Sequence, residues 1–564
     1  MNIFEKEIIS ILKKETSLEE ISLEIPPNPD FGDYAFPCFE LAKKIKKNPN
    51  EIAQDLTKEI KLSNLIRKVE VKGPYLNFFV NKVRLAEDTI KGVLKEKEKY
   101  GFVKDKKKTI MVEYSQPNTN KPQHLGHVRN NVLGMALSNI LEFANNKVIK
   151  VNLINDRGIH ICKSMIAYQK WGKNKNPNSE KKKGDHFVGD FYVLYNKKLA
   201  EDPNLEKEAH DLLVAWEKGD KKVIELWKKM NSWVIEGFDE TYKRLGIEFD
   251  KVYYESELYK EGKKIILDAL KKGIAKKNDE GAIYIDLSDY GLGEKILIRA
   301  DGTSIYITQD IYLAVLRHEE YKLDKLIYVV ASEQNYHFKA LFKILELFGY
   351  KWAKDCYHLS YGMIYLPEGK MKSREGKVVD ADDLMDEMIN LARKEVLERH
   401  KGLPEKEIEK RALQIGLGAI KFYIIKHDPM KDMTYNPDES IKFEGETGPY
   451  VQYAHTRICS ILEKASVDKK ADYSLLKDEL ELKLVTLLSQ FPEKIEETAN
   501  SYKPSTIANY LMELAQAFNS FYTKLPVIKA EKGIKEARLH LIMAVKQVLK
   551  IGLNLLGIEA PERM

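Results

Sequence analysis

The sequence predicts an α/β protein in which a Rossmann-type parallel sheet with a helical insertion follows an α+β module and precedes an all-α bundle. Three observations carry this reading. A strand–helix–strand pattern fills residues 109–154, strand signals return only near residue 281, and from about 384 onward apolar residues recur at three- and four-residue spacing. The 564 residues have room for three or four domains of roughly 150 residues each. The expected division is 1–105, 106–383 with the insertion at about 170–280, and 384–564.

The first module opens on a helical pattern (Ile3, Ile8, Ile9, Leu12), crosses Pro26, Pro27 and Pro29, and reaches the turn-like FGDYA at Phe31 to Ala35. It closes in VEVKGPYLNFFV, Val69 to Val80, two strands joined at Gly73-Pro74. Next, Thr109–Ser115 reads as a buried strand, His124–Phe143 as a helix and Lys147–Ile154 as a second strand. The Lys-rich stretch from about 170 to 280, including WGKNKNPNSEKKKGD, reads as a helical insertion with a solvated loop. The sheet is expected to resume at Gly281–Leu287, Ile327–Ser332 and His358–Leu366, with a helix at Phe338–Phe348. LVTLLSQF, YLMELAQAFNSFY and HLIMAVKQVLKIGLNLLGI supply the bundle.

Composition excludes several classes. With 43% hydrophobic and 32% charged residues the chain is neither disordered nor membrane-embedded, and 92 basic against 86 acidic residues leave a net charge of +6 that by itself demands no polyanion. Cys38, Cys162, Cys356 and Cys459 are far apart and form no CxxC, which argues against a zinc site or a disulfide framework; no metal ligands are assigned. Neither a secretory leader nor an apolar window of about eighteen residues is present, so a cytoplasmic protein without a membrane partner is expected.

Two motifs carry chemistry. His124-Leu125-Gly126-His127 stands after a strand and at the start of a helix, where exposed N–H groups and the dipole favour phosphate. A chance match to His-x-Gly-His in this composition is expected only ~0.014 times. Lys370-Met371-Lys372-Ser373-Arg374-Glu375-Gly376 follows a strand and offers cations to a departing pyrophosphate; alone, such a charge run is more often a solvated loop.

Together the motifs resemble the HIGH and KMSKS pair of class I aminoacyl-tRNA synthetases. Longer runs, EYSQPNTNKPQHLGHVRNNVLG (Glu113 to Gly134), NDRGIHICKS, RADGTSIYITQD, ASEQNYHF, MKSREGKVVDADDL, FEGETGPYVQYAHTRICSI and APERM, resemble arginyl-tRNA synthetase. FGDYA and GPYLNF resemble the additional N-terminal domain of that family, so the likeness covers nearly the whole chain.

The resemblance implies roles that the chemistry of each residue allows. A planar guanidinium needs carboxylates and a hydroxyl, and the family pattern falls on Glu113, Tyr306 and Asp310. Ser115, Asn118 and Gln334 are implied for the ammonium and carboxylate of L-arginine. ATP, accompanied by Mg2+, is implied to lie against His124, Gly126, His127, His337, Met371 and Ser373, with Gly126 admitting adenine. His124, His127, Lys121, Lys370, Lys372 and Arg374 are implied to stabilise the transition state; Ser373 replaces the usual second lysine, and Lys121 is the implied substitute. Tyr450, Gln452, Tyr453, His455, Arg457 and Met564 are implied at the tRNA(Arg) anticodon, although helical spacing requires some of them to be core. Phe31, Asp33 and Tyr34 are candidates toward the outer corner of the tRNA or simply a packed turn. A monomeric arginine–tRNA ligase whose activation step needs bound tRNA, without an editing domain, is therefore expected. The rivals are a His-x-Gly-His nucleotidyltransferase that uses no tRNA and an RNA-binding paralogue without activity.

Overall fold

The computed structural model describes residues 3–103, 107–258, 261–365 and 379–564. The N-terminal module comprises α1 (Ile3–Thr16), β1 (Tyr34–Pro37), α2 (Phe39–Ile45), α3 (Pro49–Glu59), β2 (Ile66–Lys72), β3 (Tyr75–Val80) and α4 (Lys82–Glu96). As expected, β2 and β3 pair antiparallel across Gly73-Pro74, where Gly73 takes φ +60°; β1 pairs with the other edge of β3.

The central unit begins with β4 (Thr109–Glu113), α5 (Leu125–Phe143) and β5 (Lys147–Ile154). The insertion follows as α6 (Ile159–Trp171), α7 (Pro177–Glu180), α8 (Gly184–Leu199), α9 (Asn204–Glu217) and α10 (Lys221–Leu245). It returns through β6 (Lys251–Tyr254), a strand inside the stretch expected to be helical. Four residues, KVYY, are too few to print an alternation in the sequence, and β6 sits at the sheet edge beside β5.

After α11 (Glu255–Leu258) and α12 (Gly262–Lys271) come β7 (Lys276–Lys277), β8 (Ile283–Asp286) and β9 (Glu294–Ile298). These make a separate antiparallel sheet, which corrects the expectation that Gly281–Leu287 rejoins the parallel one. The physical reason is visible in burial: β8 buries Ile283 and Ile285 but leaves Asp286 exposed, the alternation of a one-faced sheet, whereas β4 is buried at four successive positions.

Then α13 (Tyr306–Tyr321), β10 (Lys325–Ala331), α14 (Asn335–Leu347) and β11 (Cys356–Tyr361) complete a parallel sheet of order β11-β10-β4-β5-β6. The order reverses between β4 and β10, and the carboxyl ends of strands at such a reversal open the crevice where ligands bind. Side chains of β4 and β10 alternate between two cores: Ile110, Val112, Ile327 and Val329 face one, Met111, Leu326 and Tyr328 the other.

The remaining chain runs β12 (Ile364–Tyr365), α15 (Ala381–Arg399), α16 (Glu405–Ile425), β13 (Met433–Thr434), α17 (Pro437–Ser440), α18 (Gly448–Glu463), α19 (Glu479–Ser501), α20 (Ser505–Lys524) and α21 (Ile534–Leu555). Apart from the two-residue pair β12 and β13, this is the expected helical bundle. Its core is continuous with that of the N-terminal module, where the Tyr100 hydroxyl donates to the Leu488 carbonyl at 3.0 Å and its ring stacks on Phe491.

Candidate active site

The crevice at the β4/β10 reversal is entered by the start of α5. His124 is its N-cap, in extended conformation, and its Nδ1 accepts the Gly126 N–H at 3.1 Å; His127 Nδ1 reaches back to accept the His124 N–H at 3.2 Å. Two histidines thus form a capping box, with ring centroids 4.1 Å apart. Because each Nδ1 accepts, each neutral ring carries its proton on Nε2, free to donate outward. Burial, helped by the nearby Lys121 ammonium, pushes the His124 pKa down to about 3, and burial with His124 and Lys121 takes His127 well below its ordinary value. Both are uncharged donors at neutral pH.

Gly126 has a local reason the sequence did not suggest. A Cβ there would lie 2.9 Å from His124 Cε1 and 3.1 Å from its Nδ1, so the glycine makes room for the capping ring. Lys121 and His124 line one wall of a cavity of about 190 Å³ whose other wall carries His186, Tyr192 and Asp380. The segment re-entering after residue 378 is tied to the same place, the Leu125 N–H donating to Val379 O at 2.9 Å and the Ala381 N–H to Gln123 O at 3.0 Å. Lys370, Met371, Lys372, Ser373 and Arg374 lie outside the described residues.

On the other side of the crevice, α13 begins at Tyr306, which is 70% exposed, and Asp310 follows on the same face one turn later. His337, at the start of α14, approaches Asp310 with Nε2 2.7 Å from Oδ2. This places His337 with the carboxylate expected for the guanidinium. Asn118 and Gln334 are exposed, beyond the ends of β4 and β10.

Two expected ligands face elsewhere. Ser115 is buried and its hydroxyl pairs with the Tyr242 hydroxyl at 2.6 Å. Glu113 is buried against the guanidinium of Arg317, itself without exposed surface, while its Oε1 accepts from Gln116 Nε2 at 2.9 Å. An internal cation already neutralises Glu113, which corrects its expected place as a carboxylate open to substrate.

The second carboxylate beside Tyr306 and Asp310 is Glu255, which the sequence reading missed because it follows the unrecognised strand β6. Burial, with Asp156 and Asp310 near it and Arg157 opposing, raises its pKa to about 7. Asp156 fixes the adjoining turn, accepting the Ser256 N–H at 2.9 Å and the Ser256 hydroxyl at 2.7 Å. Glu255, Asp310 and Tyr306 lie close enough to perturb one another, and a buried acid that a cation would ionise suits a cationic side chain.

In the bundle, Tyr450, Tyr453 and Arg457 are half-buried, Arg457 stacking on Tyr453 and Tyr522. Gln452 has no exposed surface: its amide donates to Gln414 O and Glu559 O at 3.2 and 2.9 Å. His455 and Thr456 both donate to Pro561 O at 2.9 Å, and Met564 is buried. These corrections share one cause: α18 presents that face to the C-terminal segment, not to solvent. Asp33 is likewise structural, accepting the Val80 N–H and pairing with Lys82, while Lys72 covers the Phe31 ring; Tyr34 starts β1 half-buried.

A parallel sheet whose order reverses above a histidine-capped helix, joined to a helical bundle, is the architecture of a class I aminoacyl-tRNA synthetase, and the family comparisons agree. The model for class I (R) tRNA synthetase catalytic domains matches residues 89–436, that for the DALR anticodon binding domain matches 451–564, and that for the arginyl tRNA synthetase N terminal domain matches 2–80. The chain belongs to the arginyl-tRNA synthetase family. It is 48% identical to an arginine–tRNA ligase of Treponema denticola over 97% of this chain and 95% of that one, and 44% identical to one of Bacteroides thetaiotaomicron over 94% of each. Among solved structures, the arginyl-tRNA synthetase of Thermus thermophilus superposes with TM-score 0.85 at 28% identity, covering 99% of both chains.

Proposed function

We propose that this protein is an arginine–tRNA ligase whose pocket for the arginine side chain is built from Glu255, Asp310 and Tyr306. In the first step a carboxylate oxygen of L-arginine attacks the α-phosphorus of ATP; the new O–P bond forms as the bond to pyrophosphate breaks, giving arginyl-adenylate. The substrate carboxylate is the nucleophile, so the protein supplies alignment and charge stabilisation, not a base. In the second step a terminal ribose hydroxyl of tRNA(Arg) attacks the activated carbonyl and AMP leaves.

The observation that carries this reading is convergence. Two neutral imidazoles cap the helix that follows β4, and an acidic cluster suited to a guanidinium gathers Asp310, His337 and Glu255 around the start of α13. His124 and His127 donate from Nε2 to the phosphates, Lys121 adds positive charge beside them, and Asn118 and Gln334 hold the amino-acid head. Lys370, Lys372 and Arg374 are proposed to stabilise the departing pyrophosphate. Mg2+ enters with ATP. Among the described residues the one group with metal-ligand spacing, Asp185, His186 and Asp382, is bridged by the Lys183 ammonium, 3.2 Å from Asp185 and 2.6 Å from Asp382, so its charge is met by a resident side chain.

The division of labour proposed is tRNA contact by residues 1–105, adenylation by 106–383 and anticodon binding by 384–564, with Tyr450, Tyr453 and Arg457 toward the RNA. The proposed protein is a monomer acting in the cytoplasm; no helix of the described residues is long and apolar enough to cross a membrane.

Arginine-dependent exchange of labelled pyrophosphate into ATP, with and without tRNA and against a panel of amino acids, tests the proposal. Exchange with arginine alone among the amino acids, and only with tRNA present, is the expected result. Exchange without tRNA would remove the tRNA requirement, and no exchange with retained tRNA binding would leave an RNA-binding paralogue.

A further inference from the structure

The chain leaves β4 through two consecutive non-glycine residues in the left-handed region, Ser115 at φ +86° and Gln116 at φ +48°. Such backbone persists only where its surroundings over-determine it. Here the Ser115 N–H donates to Asn130 Oδ1 at 2.7 Å, the Gln116 N–H to Asn152 Oδ1 at 3.1 Å, and the Gln116 carbonyl accepts from Asn155 Nδ2 at 3.2 Å. Asn130 is the hub of this arrangement. It is buried in α5 between the equally buried Arg129 and Asn131, one turn beyond His127, and its Nδ2 also lies 3.1 Å from Gln116 Oε1, 3.0 Å from Val329 O of β10 and 3.2 Å from the Tyr361 hydroxyl of β11.

One side chain therefore touches α5, the turn after β4, β10 and β11, at the point where the strand order reverses. The loop it clamps, 115–123, carries Asn118 and Lys121 and returns the chain to His124. We propose that Asn130 is a positioning residue for adenylation: it fixes the seat of the amino-acid head against the helix start that holds the phosphates. The inference rests on the proposed ligase reading. Its consequence is geometric. The reacting carboxylate and the α-phosphorus sit on two supports that Asn130 keeps in register, and a misplacement of about 1 Å costs on the order of a hundredfold in rate. Losing that register lowers the rate of the chemical step more than it lowers the affinity for either substrate alone.

The test compares wild type with Asn130→Ala and Gln116→Ala in single-turnover formation of arginyl-adenylate, alongside arginine and ATP KM, tRNA affinity and thermal midpoint. Asn130→Ala is expected to lower the rate of adenylate formation ~30-fold or more while each KM and the tRNA affinity stay within ~3-fold. Gln116→Ala, at a half-exposed site, is expected to show the same pattern at ~5- to 10-fold, and decides the matter should Asn130→Ala not fold. A rate within ~2-fold of wild type in the decisive variant, or a loss shared equally by rate, both KM values and tRNA affinity, overturns the proposal. Wild type that forms no adenylate with arginine, ATP and tRNA all present overturns the ligase reading itself, which is a different result from an active wild type with an unaffected variant.

Discussion

Arg317 and Glu113 form an ion pair with no water on the arginine and almost none on the glutamate. The guanidinium lies between the rings of Tyr253 and Tyr328, 4.9 and 5.9 Å from their centroids. It gives Glu113, at the end of β4, a partner that holds the strand end beside the crevice. Deleting one member of a buried pair leaves the other charge uncompensated, at a cost of ~3–5 kcal/mol. Arg317→Met should therefore lower the thermal midpoint markedly, and adding Glu113→Gln to it should restore most of the loss. A double variant as unstable as the single one would show that packing, not charge, dominates there.

Glu255 and Asp310 answer for the arginine side chain. Replacing either charge by its amide, Glu255→Gln or Asp310→Asn, removes a charge-assisted hydrogen bond of ~1.5–3 kcal/mol and should raise the arginine KM ~10- to 150-fold with the ATP KM unchanged. Since Glu255 has its pKa raised to about 7, its carboxyl is partly protonated at neutral pH. Arginine binds the ionised form, so its apparent affinity should improve as pH rises through about 7 and level off above it, and binding near that pH should release a proton. Calorimetry in two buffers of different ionisation heat measures that proton. The same shift works against the fold: an acid raised in the folded state contributes stability below its unfolded value that is lost as pH climbs to about 7.

What the sequence made legible follows from period and motif. The βαβ unit was readable because two strands rich in apolar and β-branched residues, TIMVE and KVIKVNLI, flank a long helical pattern, and His124 and His127 because their spacing is rare. β6 was not, being four residues long at an edge, and with it went Glu255. The two-faced fate of α18 was hidden for another reason. Tyr450, Gln452, Tyr453, His455 and Arg457 look alike as RNA ligands in one dimension, and only the path of residues 557–564 decides which of them are covered. Asn130 was hidden for the same reason: in VRNNVLG it is one polar residue among three, and its partners, in the turn after β4 and on β10 and β11, are brought together only by the fold.

The histidine capping box makes a prediction about pH and rate. Both rings are neutral far below neutrality, so activity should show no histidine-type fall between about pH 8 and 6 from this pair. His127→Ala removes one outward donor to developing phosphate charge and should lower turnover ~10²- to 10³-fold, with tRNA affinity retained. Single-turnover assays beside a filter-binding titration separate the two quantities; equal loss in both would assign His127 to structure alone.

The C-terminal segment is held by buried donors of the bundle. Gln452 meets Glu559 O, His455 and Thr456 meet Pro561 O, and the buried Lys421 ammonium donates to Gly557 O at 2.6 Å. Removing residues 559–564 takes the Pro561 carbonyl from His455 and Thr456, at ~1–3 kcal/mol each, and leaves Gln452 with Gln414 O alone, so the thermal midpoint should fall accordingly. Any tRNA affinity lost with the segment would then follow from a loosened α18, so restoring stability with an osmolyte should restore binding, whereas a direct contact would not be rescued. Burial lowers the His455 pKa to about 4, and the unfolded chain, with the ordinary histidine value of 6.5, binds the proton more readily. Stability should therefore fall as pH drops from 6.5 toward 4, and His455→Gln, which keeps a side-chain N–H donor for Pro561 but cannot take up the proton, should flatten that slope. Chemical denaturation at intervals across this pH range reads the slope directly, and an unchanged slope in His455→Gln would assign the acid sensitivity to other groups.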